Sequence, residues 1–394
     1  MVDFNNTEIA FKIKTDRELL RAYYLFRMIG SPLLTKIGNS IAYTALRLHL
    51  PVAWFVKPTV YAHFVGGETI EDCLPVVEKL ALFGVKSILD YSVEGGENEE
   101  DFEKALKETL KTIDNAAKND NVPFAVFKPT AFGPSKVLEK ASIDETKLNE
   151  TEKQDLAGFR KRVGILCKTA YENNVPVLID AEHSWYQNII DKVVRENQEI
   201  YNKEKPIVYN TYQMYRKDRL DYLKADYEVA RSGGYYLGAK FVRGAYMEIE
   251  RERAERMGYP SPIHETKEAT DRDFNAALKF CVERLDRISI FNGTHNEYSS
   301  RYLTELMDEH GIAKNDERCY FSQLYGMSDH ISFNLAHAGY NVAKYVPFGP
   351  VRAVLPYLIR RAQENTSIAG QTSRELRLIT AELNRRKKEK NNKK

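Results

Sequence analysis

Eight short apolar runs recur along the chain, and longer stretches with helical spacing separate them. In the stretch 101–118, an apolar stripe on one face of a helix is formed by Phe102, Leu106, Leu110 and Ile113. Runs that are apolar throughout are typical of parallel strands buried on both faces. The runs predicted as strands are Val85–Asp90, Phe124–Lys128, Val177–Asp180, Ile207–Asn210, Ala239–Arg243, Ile288–Asn292, Cys319–Ser322 and Asn341–Tyr345. Eight such strands alternating with helices predict an α/β fold, a closed (β/α)8 barrel of the TIM type, rather than a doubly wound sheet.

The residues before the first strand and after the last one have helical character. Residues 1–60 predict a helical extension, in which one helix begins near Asp16 and a second one spans Ile37–Leu50. Residues 371–394 predict a helical, basic tail. The barrel itself is therefore expected between residues 61 and 370.

One helix near the end of the chain carries two adjacent arginines beside an apolar stripe. The stripe runs through residues 351–359, after a strand and a Gly-Pro turn. Tyr357, Arg361 and Glu364 are three or four residues apart, so they share a second face of the helix. Arg360 lies one turn before Glu364 and can pair with it. Because guanidinium groups bind carboxylates with two parallel hydrogen bonds, the pair predicts a carboxylate site, and a solvated Arg/Glu face is the plainer alternative.

Polar residues end nearly every predicted strand. In a barrel the carboxyl ends of the strands meet at one mouth, which holds the active site. A polar strand end often serves only as the cap of the next helix, but capping does not account for so many charged and amide groups. Lys128 and Lys240 would be partly buried at this mouth, so each needs a carboxylate partner. The candidate partners are Asp90, Asp180 and Glu182.

Composition narrows the class of protein. With 43% hydrophobic and 29% charged residues, the chain is expected to be globular. We find no run of about 18 apolar residues and no secretory signal, so we expect a cytoplasmic protein. Four scattered cysteines without a C-x-x-C pair predict a reducing compartment and no metal site. The sequence also lacks the glycine-rich motifs of Rossmann and P-loop nucleotide sites.

The formal net charge of +2 conceals a basic end. Residues 384–394 hold seven basic residues and one glutamate, so this segment carries a net charge of +6 and the rest of the chain −4. A solubilising end is the plainer interpretation. Peripheral contact with anionic lipid at the inner face of a membrane is the alternative, and we expect no nucleic-acid partner.

Several motifs taken together resemble the proline dehydrogenase family, the flavoenzymes of proline oxidation. Each motif is weak alone, but from about residue 57 to residue 368 they follow the family's order. The motifs are Phe64-Val-Gly-Gly-Glu-Thr69, Ile179-Asp180-Ala-Glu182, Val242-Arg243-Gly244-Ala245-Tyr246, Thr294-His295-Asn296, Gln323-Leu324-Tyr-Gly-Met327 and Tyr357-x-x-Arg360-Arg361-x-x-Glu364.

The resemblance implies a distorted (β/α)8 barrel that binds FAD and oxidises L-proline at its C5–N bond. The product would be 1-pyrroline-5-carboxylate, formed by hydride transfer to flavin N5 in the first step of proline catabolism. The electrons would then pass to a membrane quinone, and the enzyme would be monofunctional.

The resemblance also assigns roles residue by residue. Two arginines would clamp the substrate carboxylate, two tyrosines and a leucine would pack against the ring, and a lysine and an aspartate would complete the polar network. These substrate-side residues are Arg360 and Arg361, then Tyr345, Tyr357 and Leu324, then Lys57 and Asp90. Residues at the strand ends would bind FAD, and Glu364 would help to hold the arginine helix. The strand-end set is Lys128, Asp180, Asn210, Gln213, Lys240, Val242, Arg243, Gly244, Ala245, Thr294, His295, Asn296 and Gln323.

Three alternative functions stay open at this point. Hydroxyproline dehydrogenase is the nearest, although in the family a tyrosine at the Tyr345 position crowds the 4-position of the ring and favours proline. A barrel enzyme that forms a Schiff base through Lys128 or Lys240 is the second. A non-catalytic protein recruited through its basic tail is the third. A bound flavin would argue against the second, and a raised KM for proline in Arg361→Ala would argue against the third.

Overall fold

The computed structural model describes residues 2–31, 53–92, 96–367 and 371–392 of the 394-residue chain. Side chains are described throughout these ranges except at positions 53, 55, 362–367 and 371–373. The helix predicted at Ile37–Leu50 lies outside the described residues.

Eight parallel strands form one sheet, in the order β1-β8-β7-β6-β5-β4-β3-β2. They are β1 Val85–Tyr91, β2 Ala125–Phe127, β3 Val177–Ile179, β4 Val208–Gln213, β5 Leu237–Val242, β6 Ile288–Gly293, β7 Cys319–Leu324 and β8 Val342–Phe348. A helix follows each strand along the chain. This alternation confirms the predicted class, a nearly closed (β/α)8 barrel of the TIM type.

Helices occupy much of the remaining described chain. They are α1 Thr7–Phe11, α2 Asp16–Ile29, α3 Ala53–Val56, α4 Ala62–Phe64, α5 Ile70–Ala81, α6 Glu99–Lys118, α7 Ser135–Asp144, α8 Glu150–Glu172, α9 Ser184–Tyr201, α10 Arg219–Gly233, α11 Met247–Met257, α12 Lys267–Val282, α13 Glu297–Glu309, α14 Asp329–His337, α15 Val351–Ser367 and α16 Gln371–Asn392. A π-helical turn spans Lys57–Tyr61, and short 3-10 turns span Pro129–Phe132 and Glu145–Lys147. Helices α1 and α2 lie in the range 1–60 that was predicted as a helical extension.

The chain divides into two compact units. Unit 1 comprises Met1–Glu94 and Gln323–Lys394, and unit 2 comprises Gly95–Ser322. Unit 1 thus holds β1, β8, the end of β7 and the helices near both chain ends. Unit 2 holds β2 to β6, most of β7 and the helices that follow β1 to β6.

An aromatic cluster in unit 2 centres on Phe124, directly before β2. Its ring meets those of Tyr209, Phe291 and Tyr320 edge to face, at centroid distances of 5.7, 5.2 and 4.9 Å. The three partners come from β4, β6 and β7, and all four side chains are buried. Edge-to-face contacts between buried rings stabilise the fold beyond the burial of their surface. Because the rings come from β4, β6 and β7, the cluster holds together strands that are far apart in the chain.

Side chains of β4 alternate between this cluster and the helices. Tyr209 faces the cluster, whereas the Tyr212 hydroxyl donates a hydrogen bond to Asp226 of α10 at 2.6 Å. Asn210, on the same face as Tyr212, donates a hydrogen bond to Asp191 of α9 at 3.1 Å. Polar groups on the helix-facing side of the strand are therefore paired with helix side chains.

In unit 1 the helices near the two ends of the chain pack together. Phe11 of α1 and Phe26 of α2 share a buried apolar cluster with Leu378 and Ile379 of α16. Arg386 of α16 also donates a hydrogen bond to the carbonyl of Phe11 at 2.8 Å. The basic segment of the sequence is thus a helix with apolar and polar contacts to the N-terminal helices.

A buried carboxylate in unit 1 neutralises two lysines. Asp329 of α14 lies 2.9 Å from the ammonium group of Lys344 of β8 and 2.8 Å from that of Lys14. Burial alone would raise the pKa of Asp329, but the charges of Lys14 and Lys344 hold it well below its usual range. Lys344 is fully buried, so its ammonium group needs the carboxylate of Asp329 when β8 packs against α14.

His63 is a second titratable group in unit 1, and it is held neutral. Its ring meets that of Phe64 at a centroid distance of 4.6 Å, and its Nε2 lies 2.9 Å from the carbonyl oxygen of Gly326. Loss of water around the ring, followed by the charge of Lys14, lowers the pKa of His63 from 6.5 to about 3. The unfolded chain takes up a proton here near pH 6.5, whereas the folded chain does so only near pH 3. The contribution of His63 is therefore complete above pH 6.5 and is lost as the pH falls toward 3.

We expect the free energy of unfolding to decrease as the pH falls below 6.5, and His63→Gln to make this decrease shallower. The lost slope should approach about 1.4 kcal/mol per pH unit, because one proton is involved. Urea denaturation at a series of pH values measures it. His337→Gln, at an exposed position, is the control and should keep the wild-type slope. Equal slopes in wild type and His63→Gln would show that His63 is not held neutral.

Candidate active site

Helix α15, the arginine helix, buries one of its two adjacent arginines. Arg361 is 9% exposed, and its guanidinium carbon lies 5.2 Å from the centre of the Tyr357 ring. Tyr357 is buried and Arg360 is partly exposed. A guanidinium over an aromatic face is an attractive contact that also restricts the direction of its donors. The side chain of Glu364, which was predicted to hold the pair, lies outside the described residues.

An apolar cluster in unit 1 supports the arginine helix. Leu358 of α15 packs in it with Leu25 of α2, and Leu324 at the end of β7 packs against it. The Tyr61 hydroxyl donates a hydrogen bond to the carbonyl of Gly349, just before α15, at 2.8 Å. These contacts fix where the helix starts and which of its faces is buried.

Asp90 and Tyr345 lie on the same face of the β1–β8 ladder. Tyr345 is in register with Ile88, two residues before Asp90, and alternate residues of a strand share a face. Both side chains are buried. Asp90 accepts a hydrogen bond from the Ser92 hydroxyl at 2.6 Å. The structure thus brings these two predicted substrate-side residues together.

Two other predicted residues of unit 1 are engaged by neighbouring side chains. Lys57 is exposed, lies on the π-helical turn and pairs with Glu68 at 2.6 Å. Gln323 is buried, and its Oε1 accepts a hydrogen bond from the Ser332 hydroxyl at 2.7 Å. The roles that the resemblance assigns to Lys57 and Gln323 stay predictions.

In unit 2, two lysines share one carboxylate directly after β3. Lys240 of β5 lies 2.5 Å from Asp180, and Lys128 after β2 lies 4.0 Å from it. Lys240 is 5% exposed, so leaving its ammonium unpaired would cost several kcal/mol, in the order of magnitude known for buried ions. Of the three carboxylates expected as partners, the described structure pairs Asp180 with these lysines. Glu182 instead accepts hydrogen bonds from the backbone and the hydroxyl of Thr130, both at 2.7 Å.

Gln213 ends β4 on the face opposite to Asn210. It is 1% exposed, and its Oε1 has no hydrogen-bond partner among the described residues. A buried amide oxygen without a donor is costly, so this atom marks a position that suits a donor from a ligand. Asn210, in contrast, points to Asp191 among the helices, and the geometry of β4 does not support its predicted contact with a cofactor.

Arg243 joins the end of β5 to the helices of unit 2. It donates hydrogen bonds to Asp271 at 2.6 and 2.9 Å, to Ser299 at 3.0 Å and to Thr294 at 2.5 Å. Burial lowers the pKa of the Arg243 guanidinium, and the charge of Asp271 opposes this shift. Much of its donor capacity is therefore used within the protein. It orients Thr294, and its predicted contact with a cofactor stays a prediction.

Gly244 is required by the backbone and by the packing of Tyr215. Its φ is +131°, and a Cβ at this position would lie 2.5 Å from the Tyr215 ring. Val242 before it is partly buried at the end of β5, and Ala245 after it is exposed. The backbone conformation and the packing thus account for this glycine, and the cofactor contacts predicted for Val242, Gly244 and Ala245 stay predictions.

The motif after β6 divides between support and capping. Thr294 is buried, and its hydroxyl oxygen accepts a hydrogen bond from the backbone of Asn296 at 3.2 Å. The Asn296 side chain accepts one from the backbone of Ser299 at 3.0 Å, which caps α13. His295, between them, is partly buried. For Asn296 the capping role, which was the plainer interpretation of a polar strand end, holds in the structure.

Sequence reasoning missed three residues that shape these strand ends. Tyr215 covers Gly244, and a buried pair between Asp191 of α9 and Arg219 of α10, 2.5 Å apart, receives Asn210. The only signal for Tyr215 was its place two residues after a polar strand end. For Asp191 and Arg219 there was none, because the two residues are 28 positions apart on different helices.

The described residues hold no group of three or more His, Cys, Asp or Glu side chains suited to a metal ion. The four cysteines are buried and free. No helix in the described ranges is long and apolar enough to cross a membrane. What the strand ends and α15 supply are cations, carboxylates and amides, groups that bind and orient charged or polar ligands.

A sequence model of the proline dehydrogenase family matches residues 73–374 of this chain. Proline dehydrogenase 1, mitochondrial, of Dictyostelium discoideum is 34% identical over 384 residues, covering 86% of this chain and 67% of that protein. Hydroxyproline dehydrogenase of Xenopus laevis is 32% identical over 412 residues, covering 95% of this chain and 88% of that protein.

Among solved structures, proline utilization A from Bdellovibrio bacteriovorus, inactivated by N-propargylglycine, has a similar fold. The TM-score is 0.73 at 20% sequence identity, and the match covers 92% of this chain. The chain spans only 38% of the length of that protein. At this identity the likeness concerns the fold, and it agrees with the (β/α)8 class.

We expect Gly244→Ala to lower the free energy of unfolding by about 2–4 kcal/mol, because the new methyl group meets the Tyr215 ring on a strained backbone. Gly234→Ala is the matched control. Gly234 has a φ of +67° but no atom within 4 Å of the added Cβ, so a cost of only about 1 kcal/mol is expected. Urea denaturation of both variants measures the difference, and equal costs would mean that the Tyr215 contact does not restrict this position.

Proposed function

The chain belongs to the proline dehydrogenase family, and from that membership we propose that it oxidises L-proline to 1-pyrroline-5-carboxylate with bound FAD. The observation that carries this proposal is the buried Arg361 against the Tyr357 ring. A proline zwitterion presents a carboxylate and a small apolar ring, and a guanidinium beside an aromatic ring complements both.

In this proposal the arginine helix orients the substrate. Arg360 and Arg361 donate hydrogen bonds to the two carboxylate oxygens, so the ring can turn only about a fixed end. Tyr345, Tyr357 and Leu324 offer apolar walls for the ring carbons. Holding the reacting C5–N bond in one orientation is the main contribution that a protein makes to this kind of reaction.

The strand ends of unit 2 suit a flavin on one structural observation. Gln213 keeps a buried acceptor oxygen with no donor among the described residues, and a flavin ring carries an N–H donor. Lys128 and Lys240 supply positive charge for the cofactor, and Asp180 between them limits their mutual repulsion. Bound FAD would supply the acceptor, at flavin N5, for the hydride of substrate C5. The residues of this chain would hold that ring and exclude water from it.

The Schiff-base alternative is weakened by the pairing of its two lysines. A lysine nucleophile acts as the unprotonated amine, which needs an apolar or cationic environment. Lys240 and Lys128 both face the carboxylate of Asp180 instead, at 2.5 and 4.0 Å. We therefore propose these residues as cofactor contacts and not as nucleophiles.

Hydroxyproline dehydrogenase is the second candidate. It is supported by the Xenopus laevis relative of that name, which is 32% identical to this chain. The buried Tyr345 favours L-proline in our proposal, because its ring limits the space at the 4-position of the substrate.

We further propose a quinone as electron acceptor and a peripheral contact with a membrane, where quinones reside.

Purified protein loaded with FAD is expected to show flavin absorption bands that bleach when L-proline is added without oxygen. Reduction by trans-4-hydroxy-L-proline should be slower at equal concentration, because of the crowding by Tyr345. Stopped-flow absorption measures both rates. Bands that fail to bleach with either substrate, or a protein that does not retain FAD, would exclude the proposed reaction. Faster bleaching by hydroxyproline would favour the second candidate.

We expect Arg361→Ala to raise the KM for L-proline at least about tenfold, since a charged hydrogen bond to the carboxylate is lost. The flavin content, read from the absorbance ratio, should stay at the wild-type level. Arg352→Ala is the matched control, because Arg352 is an exposed arginine on the same helix. Steady-state rates with a dye acceptor measure the effect. An unchanged KM in Arg361→Ala would remove this residue from the substrate site.

A further inference from the structure

Helix α2 is apolar on two opposite faces. Its inner face is buried and includes Leu25 and Phe26. On its outer face Leu20, Tyr24 and Met28 are 44%, 60% and 52% exposed. Residues four apart lie one turn above each other, so these three side chains form a continuous apolar stripe on the outside of the helix, the outer stripe of α2.

Three arginines surround the outer stripe. At 3.6 residues per turn, Arg21 and Arg27 lie on opposite edges of it, and Arg17 extends its line toward the N-terminus. All three are exposed, and none has an ion-pair or hydrogen-bond partner within the described ranges. Their charges are therefore available to an external partner.

The two acidic residues of α2 are already neutralised within unit 1. Asp16 pairs with Arg386 of α16 at 2.9 Å and also with Lys390, and these contacts lower its pKa. Glu18 pairs with Lys79 of α5 at 2.8 Å. The outer face of α2 consequently presents apolar groups and positive charge without a competing free carboxylate.

The amino-acid sequence extends this bias beyond the helix. From Leu19 to Gly67 the chain contains no Asp or Glu, although 56 of its 394 residues are acidic. At that frequency a stretch of this length would hold about seven acidic residues by composition alone. The same stretch has five basic residues and includes Trp54, which is 78% exposed. Exposed Trp and Tyr side chains are typical of segments that lie at a membrane–water interface.

We propose that the outer stripe of α2 docks on an anionic lipid surface, with Leu20, Tyr24 and Met28 entering the headgroup region and the three arginines contacting lipid phosphates. A helix with an apolar stripe bordered by cations lies in the plane of the interface. It binds both through burial of the apolar side chains and through attraction of the cations to anionic lipid. Arginine suits this position because its apolar stem can lie along the stripe while its guanidinium reaches the phosphates.

A lipid surface accounts for these features better than a second copy of the chain. A symmetric dimer through this face would bring the same arginines of two copies toward each other, and like charges repel. Three partly exposed side chains also supply much less than the roughly 800 Å² per partner of a stable protein interface. Binding to a lipid layer does not require such a contact area, and an anionic lipid layer carries the opposite charge to the arginines.

The same contacts reduce the positive charge that the basic tail offers to a membrane. Arg385 of α16 pairs with Glu382 at 2.8 Å, and Arg386 and Lys390 pair with Asp16. These three charges are neutralised within the protein. Because Arg386 and Lys390 occupy the carboxylate of Asp16, that carboxylate does not pair with the arginines of α2. The tail acts on the membrane contact indirectly, through α2.

Vesicle binding of the full chain tests this proposal. Wild type should co-sediment with vesicles of phosphatidylglycerol and phosphatidylcholine in equal amounts, and only weakly with phosphatidylcholine alone. The combined variant Arg17→Gln/Arg21→Gln/Arg27→Gln should bind the anionic vesicles about 100-fold more weakly, because each arginine near the surface contributes about fivefold. Added salt should weaken wild-type binding in the same direction.

The apolar term has its own variant and a matched control. Leu20→Gln/Tyr24→Gln/Met28→Gln should weaken binding to the anionic vesicles at least about tenfold. The control is Leu82→Gln/Ile143→Gln/Met257→Gln, which removes apolar side chains that are 81%, 77% and 60% exposed elsewhere. It should bind as wild type does. Lys387→Gln/Lys388→Gln, at exposed positions of α16, tests the tail and should also bind as wild type does.

A spectroscopic measurement avoids any dependence on the folding of these variants. The four native cysteines are buried, so Met28→Cys can be labelled selectively with an environment-sensitive fluorophore. Its emission should shift to the blue with anionic vesicles, and the same label at Leu82→Cys should not respond.

An unresponsive label at position 28 would overturn the proposal, as would a stripe variant that still binds the vesicles like wild type. If the stripe substitutions instead dissociate a dimer in sedimentation velocity, a second copy of the chain occupies the face and the lipid proposal is wrong. None of these readouts requires flavin or proline, so they are independent of the proposed reaction.

Discussion

A parallel strand covered on both faces exposes no polar side chain to water, and most of this structure depends on that constraint. Each charged side chain within the sheet needs a partner from another strand or helix. Lys240 has Asp180, and Lys344 has Asp329. The amide oxygen of Gln213, at the end of β4, is buried and meets no donor among the described residues, and other buried polar atoms of the sheet, such as both amide atoms of Asn292 in β6, share this property. Where the constraint is met, the residues hold the fold. In our proposal a ligand supplies the missing donor to Gln213.

Helix α2 links two functions of unit 1 because it is apolar on two faces. Its inner face supports the arginine helix through Leu25, and its outer stripe is the surface that we propose for lipid. Helix α16 contributes to both, since it packs on the inner side and binds Asp16 at the start of α2. In our proposal of a quinone acceptor, the element that supports the arginine helix would also rest on the lipid phase that holds the acceptor.

The proposed reaction needs orientation and charge more than it needs a reactive side chain. The residues found at the candidate positions are of that kind. In unit 1, Arg361 is held against Tyr357, which restricts where its donors point. In unit 2, Lys240 shares Asp180 with Lys128, so positive charge is available there without a free nucleophilic amine. In our proposal the arginine helix therefore orients the substrate, and the two lysines supply positive charge for the cofactor.

The amino-acid sequence by itself determined the eight strands, the (β/α)8 class and the family, because apolar runs, helical spacing and motif order are local properties of the chain. Only the tertiary structure decided what each polar strand end does. Asn210 and Gln213 are three residues apart on one strand, yet one faces Asp191 among the helices and the other faces the interior of the sheet. The guanidinium of Arg243 forms an ion pair with Asp271 of α12. Strand faces alternate at every residue, and the partners come from helices far along the chain, so register and packing set these roles and sequence spacing does not.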